Sequence, residues 1–320
     1  MRERLPKALQ DGNYVSGQAL AECLGVSRAA VNKAINQLRA DGYAIDAVPN
    51  RGYRLLSRPD LLTVAEAVPY LSTDALGRHW HHVREADSTN ALARELAEAG
   101  APDGLVVVAE TQRAGRGRLG RAWSSPRGGI WFSLLLRPRL LPSAAAMLTL
   151  GAAVAAAEAT EAVAGITCGI KWPNDLLVNG RKVAGILTEM SAELDQLNYI
   201  VLGVGLNANF AAALLPEGLL VRATTLIEEK GEKVSRAAWL GAFLNRCEFW
   251  RRLLETGARQ RLISAWRGRS VTLGQSVTVT TPTARFSGRA VDIDSDGALV
   301  VETEDGARVR VADGDVTLRE

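Results

Sequence analysis

The stretch GRGRLGRAWSSPRGGIWFSLLL, Gly115 to Leu136, decides how the central part of the chain is read. Its first six residues fit G-x-G-x-x-G, and Leu105 to Ala109 just upstream reads as a buried strand, so a Rossmann dinucleotide site is the first candidate. That site needs its last glycine to open a helix. Here Ser124, Ser125, Pro126, Gly128 and Gly129 follow, and then the extended apolar run Ile130 to Leu136. The segment therefore reads as strand, loop, strand, which excludes the dinucleotide fold. What remains is a glycine-rich loop carrying Arg113, Arg116, Arg118 and Arg121. Glycine lets backbone amides approach an anion, and arginine forks onto phosphate oxygens. One reading is a phosphate-bearing ligand; the other is a basic surface loop.

Upstream, Ser88-Thr89 heads a predicted helix that Ser or Asp can cap, with Leu92 and Leu96 on its apolar face and Gly100 as its stop. Downstream, Lys171-Trp172-Pro173-Asn174-Asp175 follows an extended stretch, Gly165 to Ile170, and the next strand runs into the hairpin signal Asn179-Gly180. Lys182 then falls on the return strand. Two-residue alternation places it on the face of Ala184, Ile186 and Thr188. A lysine among small and apolar neighbours is a candidate for a held charge, although lysines beside hairpin turns are commonly solvated. Between these motifs, Ser143 to Ala157 is mostly alanine and is followed by Glu158 and Glu161. It is too short and too weakly hydrophobic to span a bilayer and reads as a core helix.

At the N-terminus, Ser16 precedes a helical run from Gly17 to Leu24, Gly25-Val26 turns the chain, and Ser27 caps a second helix from Arg28 to Ala40. Val31, Ala34, Ile35 and Leu38 share one face of that helix, leaving Arg28, Asn32, Lys33 and Asn36 on the other. A recognition helix needs this split between a seating stripe and donors that reach base edges. Tyr43 to Val48, the turn Pro49 to Gly52 and Tyr53 to Leu56 form a hairpin with Arg51 near its tip, a wing able to touch phosphate. An ordinary helical hairpin with a solvated face is the competing reading, which the wing disfavours. The first helix, interrupted by Pro6, is short for such a domain.

From Val271 onward, the runs Ser276 to Thr281, Ala290 to Ile293, Ala298 to Glu302 and Arg308 to Val311 alternate with turn residues, as in a small barrel. With a seam at Ser57 to Asp60, the domains are 1–60, 61–268 and 269–320. At 320 residues, 47% apolar and 23% charged, the chain is an ordinary globular protein of several domains. A net charge of +3 confines any nucleic-acid surface to a local patch. Cys23, Cys168 and Cys247 are odd in number and lack a CxxC pair, which argues against disulfides and a structural zinc, so no metal site is expected and a reducing, cytoplasmic setting fits. Met1 to Gln10 has no apolar core for a signal peptide.

Five motifs in order carry a resemblance. Asp87-Ser88-Thr89-Asn90, Glu110-Thr111-Gln112 with Gly115 to Trp123, Lys171 to Asp175, Lys182 to Leu187, and Gly205-Leu206-Asn207, behind a winged helix, resemble the bifunctional biotin protein ligases over nearly the whole chain. The resemblance implies an α+β protein with an N-terminal winged helix-turn-helix, a central class II synthetase-like mixed sheet with helices and a C-terminal SH3-like barrel. It implies an enzyme that uses ATP with Mg2+ to convert biotin to biotinyl-5′-AMP. The biotinyl group then passes to a lysine of the biotin carboxyl carrier protein of acetyl-CoA carboxylase. With biotinyl-AMP bound, a homodimer would occupy operator DNA and repress biotin synthesis.

By similarity, Ser88, Thr89, Asn90 and Gln112 bind biotin, whose neutral ureido ring suits short uncharged donors and acceptors. Arg116, Gly117 and Arg118 close over the carboxylate and phosphate, while Lys182 holds both in line and with Arg118 forms the catalytic pair. Arg121, Lys171, Asn174 and Asn207 join Arg116 and Arg118 around the nucleotide, and Asp175 serves structure. The pattern is poorest from Ala208 to Ala223, where related enzymes close an aromatic over adenine and this chain has Ala223. Two other readings stay open: a lipoate ligase or lipoyl transferase with Cys168 as acyl carrier, and a non-catalytic biotin-sensing transcription factor.

Overall fold

Two serines set the first helices. Ser16 Oγ accepts from the Ala19 amide and Ser27 Oγ from Ala30, capping α2 (Gly17–Leu24) and α3 (Arg28–Ala40) behind the short α1 (Arg4–Ala8). Gly25, in the left-handed region at φ 68°, closes α2 so that the chain can turn at once into α3. The computed structural model describes residues 4–9, 12–142, 145–193, 196–219 and 222–318, without the Gln196 side chain. By its contacts the chain divides into two units, 1–70 and 71–320.

In the first unit β1 (Ala44–Val48) and β2 (Gly52–Ser57) pair antiparallel, Val15 adds a bridge to Tyr53, and α4 (Val64–Ala67) with a 3-10 turn (Val68–Tyr70) ends the unit. Val31, Ala34, Ile35 and Leu38 are buried with Leu5, Leu9, Leu20 and Tyr43 as the helical spacing predicts. Pro6 lies in the first turn of α1, where no amide donor is needed, and the helix is indeed short.

The second unit is built on a seven-stranded mixed sheet. In chain order its elements are β3 (His79–Ala86), α5 (Thr89–Glu98), β4 (Leu105–Gln112), β5 (Ile130–Leu136), α6 (Ala145–Ala164), β6 (Gly169–Lys171), β7 (Asp175–Val178), β8 (Arg181–Glu193), β9 (Gln196–Leu206), α7 (Leu226–Lys230), α8 (Arg236–Glu255) and α9 (Arg259–Arg267). The sheet order is β3-β4-β5-β9-β8-β7-β6, with only β3 and β4 parallel. Helix α5 covers one face. Helices α6 and α8 cover the other, where Thr149 meets Thr188 at 2.7 Å and Phe243 packs edge-on against Phe132.

Strand β10 (Ser276–Thr280), β11 (Arg285–Ile293), β12 (Leu299–Glu302), β13 (Arg308–Val311) and β14 (Asp315–Leu318) form a five-stranded antiparallel sheet in the order β13-β12-β11-β10-β14. This small barrel is stitched to β6: Ile170 N–H donates to the Arg269 carbonyl (2.7 Å), Val271 N–H to that of Ile170 (3.0 Å), and Trp172 N–H to Thr272 Oγ1 (2.8 Å).

Several sequence expectations are adjusted. Helix α5 buries Ala93 and Ala97, with Leu92 and Leu96 only half-buried at its flank, because the sheet beneath lets only small side chains approach. Gly100 adopts φ 86° just past its end, as a stop should. Only Gly169 and Ile170 of the stretch from Gly165 are in a strand, since Gly165 in the left-handed region (φ 71°) serves as the stop of α6. Helix α6 is long and apolar enough to cross a membrane, but 67% of that window is buried against the fold, as a core helix requires; Ser143 and Ala144 lie outside the described residues. The first half of β11 escapes the alternation pattern because Arg285 to Arg289 is largely polar, and β14 because it is only four residues long with one of them, Val316, buried.

Candidate functional site

One row of paired residues crosses the sheet on the α5 side: Ala109, Trp131, Gly205, Gly185, Asp175 and Lys171. The next row holds Val107, Ser133, Gly203 and Leu187. Three glycines thus form a floor with no side chains. A β-carbon on Gly203 would collide with Asn90 Oδ1, one on Gly205 would lie 2.5 Å from Trp123 Nε1, and one on Gly185 3.2 Å from Lys182 Nζ. Asn90, Trp123 and Lys182 therefore stand directly over the floor.

Lys182 reaches this face against the expectation from alternation. Leu177 pairs with Lys182 but Leu176 with Ala184, so Val183 is an extra residue, and Val183 and Ala184 are both buried. This bulge turns Lys182 away from Ala184, Ile186 and Thr188 and onto the side of Gly185. Its Nζ lies 2.6 Å from Asp175 Oδ1 and 5.1 Å from the centre of the Trp123 ring. Its backbone is gripped as well, bonded through N–H to the Arg222 carbonyl and through its carbonyl to Thr224 N–H. Asp175, expected to serve structure, is the partner of the lysine.

Over the Gly203 end lies a neutral network. Ser88 caps α5, and the next residue, Thr89, donates its amide to Gln112 Oε1 (2.8 Å). Gln112 Nε2 donates to Ser125 Oγ (2.8 Å), and Ser133 Oγ lies 2.6 Å from Asn90 Oδ1 and 2.8 Å from Thr89 Oγ1. Asn90 Nδ2 donates to Glu189 Oε2 (2.7 Å). Ser88, Thr89, Asn90, Ser125 and Ser133 are all buried. Ser125, Ser133 and Glu189 were missed from the sequence. The signal for Ser133 was present: a lone hydroxyl inside the apolar run Ile130 to Leu136 has to find a buried partner.

The arginines separate. Arg113 is held by Asp87 (2.8 Å) and Glu85 (3.4 Å) at the edge. The loop from Gly115 to Trp123 is a small hairpin, closed by the Arg116–Ala122 bridge and by Gly117 N–H to the Arg121 carbonyl (2.7 Å), with Leu119 at φ 55° on its tip. No helix follows, which agrees with strand, loop, strand. Arg118 Nη1 reaches Asn174 Oδ1 at 3.4 Å and its Nη2 ion-pairs with Asp313, while Arg121 pairs with Asp315 at 2.5 Å. Arg116 is exposed and has no hydrogen-bond or ion-pair partner among the described residues.

Asn174, beside Arg118, and Asn207, beside Val183 and Thr224, are both buried. Asn174 Nδ2 binds the Ile186 carbonyl (2.7 Å), and Asn207 Nδ2 binds that of Thr224 (3.0 Å), leaving Asn207 Oδ1 an acceptor without a donor among the described residues. Ala223 is buried with Phe210, Leu215 and Trp131, with Trp123 against them, so aromatics from elsewhere wall the region where this chain lacks one; Leu220 and Val221 lie outside the described residues. Burial pushes the Cys168 thiol up to about 12, which removes it as an acyl carrier near neutral pH.

In the first unit Arg28, Asn32, Lys33 and Asn36 are exposed along α3, as expected, and Arg51 at the wing tip is exposed too. Asn32 is oriented, donating to Tyr53 Oη (3.3 Å) and accepting from Asn36 (3.0 Å). Arg51 and Arg54 lie against the Tyr14 ring at 4.4 and 4.7 Å. A groove of about 900 Å³ between the start of α3 and the wing is lined by Ser16, Arg28, Asn32, Asn50 and Tyr53 among others.

The fold and the side chains gathered over the glycine floor agree with a class, the Biotin/lipoate A/B protein ligase family, which matches residues 83–207; an HTH domain matches residues 3–54 and a biotin protein ligase C-terminal domain residues 272–319. The chain is 40% identical to the bifunctional ligase/repressor BirA of Bacillus spizizenii, over 95% of this chain and 94% of that relative. It is 30% identical to the bifunctional ligase/repressor BirA of Escherichia coli, over 99% and 96%. The biotin protein ligase from Aquifex aeolicus in complex with biotin and ATP superposes with a TM-score of 0.67 at 30% identity, over 76% of this chain and 99% of that one. The chain belongs to the biotin protein ligase family, in its bifunctional ligase/repressor branch.

Proposed function

We propose that this protein condenses biotin with ATP to biotinyl-5′-AMP and pyrophosphate, passes the biotinyl group to a carrier lysine, and represses transcription through its winged helix. The observation that carries the reading is the meeting, over one glycine floor, of a buried neutral network and a bulge-turned lysine. The biotin carboxylate attacks the α-phosphorus and pyrophosphate leaves; a carrier amine then attacks the acyl carbon and AMP leaves. No enzyme nucleophile is required, so the protein's task is to place groups and offset charge.

Thr89, Asn90, Gln112 and the capping Ser88 suit the ureido ring, their present mutual bonds being exchangeable for bonds to ligand. Lys182 and Arg118 flank the reacting carboxylate and phosphate as catalytic groups, with Arg116 and Gly117 completing the cover. Arg121, Lys171, Asn174 and Asn207 line the nucleotide end, where Asn207 Oδ1, without a donor among the described residues, offers an acceptor to an amino group. Mg2+ would arrive with the triphosphate and screen its charge; among the described residues no group of three or more His, Cys, Asp or Glu side chains offers a metal site.

In this reading the functional domains are 1–60, 61–268 and 269–320, the protein acts in the cytoplasm, and its carrier is the biotin carboxyl carrier protein of acetyl-CoA carboxylase. Arg28, Asn32, Lys33, Asn36 and Arg51 contact operator DNA, and biotinyl-AMP favours the homodimer that binds it. Incubation with ATP, Mg2+, biotin and a carrier domain tests the enzyme. Biotin-dependent pyrophosphate exchange and a biotinylated carrier are expected; exchange with lipoate and not biotin, or none at all, overturns the reading.

A further inference from the structure

The loop that carries Arg118 and Arg121 is held from outside by the C-terminal barrel. Arg118 Nη2 donates to the Asp313 carboxylate and to the Gly314 carbonyl at 3.0 Å, and Arg121 Nη2 donates to Asp315 Oδ2 at 2.5 Å. Arg118 turns its other terminal nitrogen, Nη1, to Asn174, the neighbour of the Asp175 that holds Lys182. A guanidinium has five N–H donors in a rigid plane, so fixing the outer nitrogen aims the rest.

The acidic turn is itself rigid. Asp313 Oδ1 accepts from Gly314 N–H at 2.9 Å. Gly314 has φ 154°, and a β-carbon there would lie 3.0 Å from the Thr280 carbonyl. The barrel beneath is sewn to Ile170 and Trp172, so the turn and the segment from Lys171 to Asp175 form one frame onto which the loop docks. Trp123 seats the base of the loop on Gly205, but its outer part has little else to keep it shut: Leu119 at its tip is 60% exposed, and Arg116 makes no polar contact among the described residues.

We propose that Asp313 and Asp315 are positioning residues, a carboxylate latch that keeps the arginine loop closed and aims Arg118 into the site. Both ion pairs are partly exposed, 21% and 67% for Arg118 and Asp313, 63% and 32% for Arg121 and Asp315, so each is of modest strength and can open for ligand entry and release. Burial works against the Asp315 carboxylate, but the hydrogen bond and charge of Arg121, with Lys171 and Arg118 nearby, outweigh it and hold its pKa below the ordinary value. The Asp315 end of the latch therefore stays charged throughout the neutral range.

The proposal rests on the biotinyl-AMP reading, and the test separates the two. In the full chain, Asp313→Asn with Asp315→Asn is expected to shorten the lifetime of bound biotinyl-AMP roughly tenfold. The same pair of changes made on an Arg118→Gly, Arg121→Gly background is expected to add nothing, whereas a general loosening of the barrel would add its own loss there. Hydrogen–deuterium exchange of the Gly117 and Trp123 amides in ligand-free protein is expected to quicken in the Asn variant, a readout that needs no catalysis. An unchanged lifetime with unchanged exchange, or an equal loss on both backgrounds, overturns the latch. A wild-type chain that forms no biotinyl-AMP overturns the enzymatic reading, and the exchange rates still decide the latch.

Discussion

Lys182 Nζ and Asp175 Oδ1 lie 2.6 Å apart on the glycine side of the sheet, and they meet there only because one extra residue, Val183, breaks the alternation of β8. The lysine is thus partnered and aimed, with Trp123 against it. One oriented cation at a developing charge contributes roughly 3–4 kcal/mol, or two to three decades in rate. Lys182→Ala is therefore expected to fold normally and lose pyrophosphate exchange by that factor; near-normal exchange would remove Lys182 from the catalytic set.

Arg118 ties the loop both to Asn174 and to the barrel. Arg118→Gly is expected to make biotinyl-AMP but release it at least about tenfold faster, since a closed loop shields the mixed anhydride from water and diffusion. Labelling of bystander proteins should follow. An intermediate retained as long as in the parent would show that this loop is not the cover.

Glu248 on α8 accepts backbone N–H bonds from Asp74 (2.8 Å), Ala75 (2.9 Å) and Leu76 (2.8 Å), and is 6% exposed. Burial raises its pKa, but those three donors and Arg252 outweigh this and leave it below the ordinary value. Its stabilisation is complete above the unfolded-state pKa and fades as pH falls through the lower folded one. Glu248→Gln is expected to cost about 1–3 kcal/mol at pH 7 and progressively less in acid. Tryptophan fluorescence in urea reads this cleanly because all seven tryptophans lie beyond residue 71. A pH-independent difference would contradict the assignment.

A single winged helix engages one half-site, whereas two related by a two-fold axis engage a palindrome, so a ligand that favours the dimer also favours DNA. Sedimentation is expected to show biotinyl-AMP shifting monomer to dimer, with operator affinity rising in step. Oligomeric state and DNA affinity both indifferent to ligand would dismiss the switch and leave the ligase intact.

The parts written in local chemistry were legible. Ser16 and Gly25 delimit α2 and Ser27 starts α3, and Asn179-Gly180 turns the chain at φ 49° and 75° as its type requires. The neutral network was mostly legible too, because Ser88 to Asn90 and Gln112 stand in recognisable motifs. The face of Lys182 was not, since Val183 and Ala184 are both apolar enough to be buried and alternation cannot register an added residue. Nor were the partners of Arg118 and Arg121, which lie about two hundred positions away and meet them only through the barrel's register.

Gly185, Gly203 and Gly205 shape the site by omission, so its depth is set by the main chain and no rotamer can retune it. The floor acts as a fixed seat for Asn90, Trp123 and Lys182. The height of those side chains cannot change in small steps from the floor, where a methyl group on Gly203 or Gly205 collides with Asn90 or Trp123. New specificities have to be written on the rim, in the side chains that lean over it.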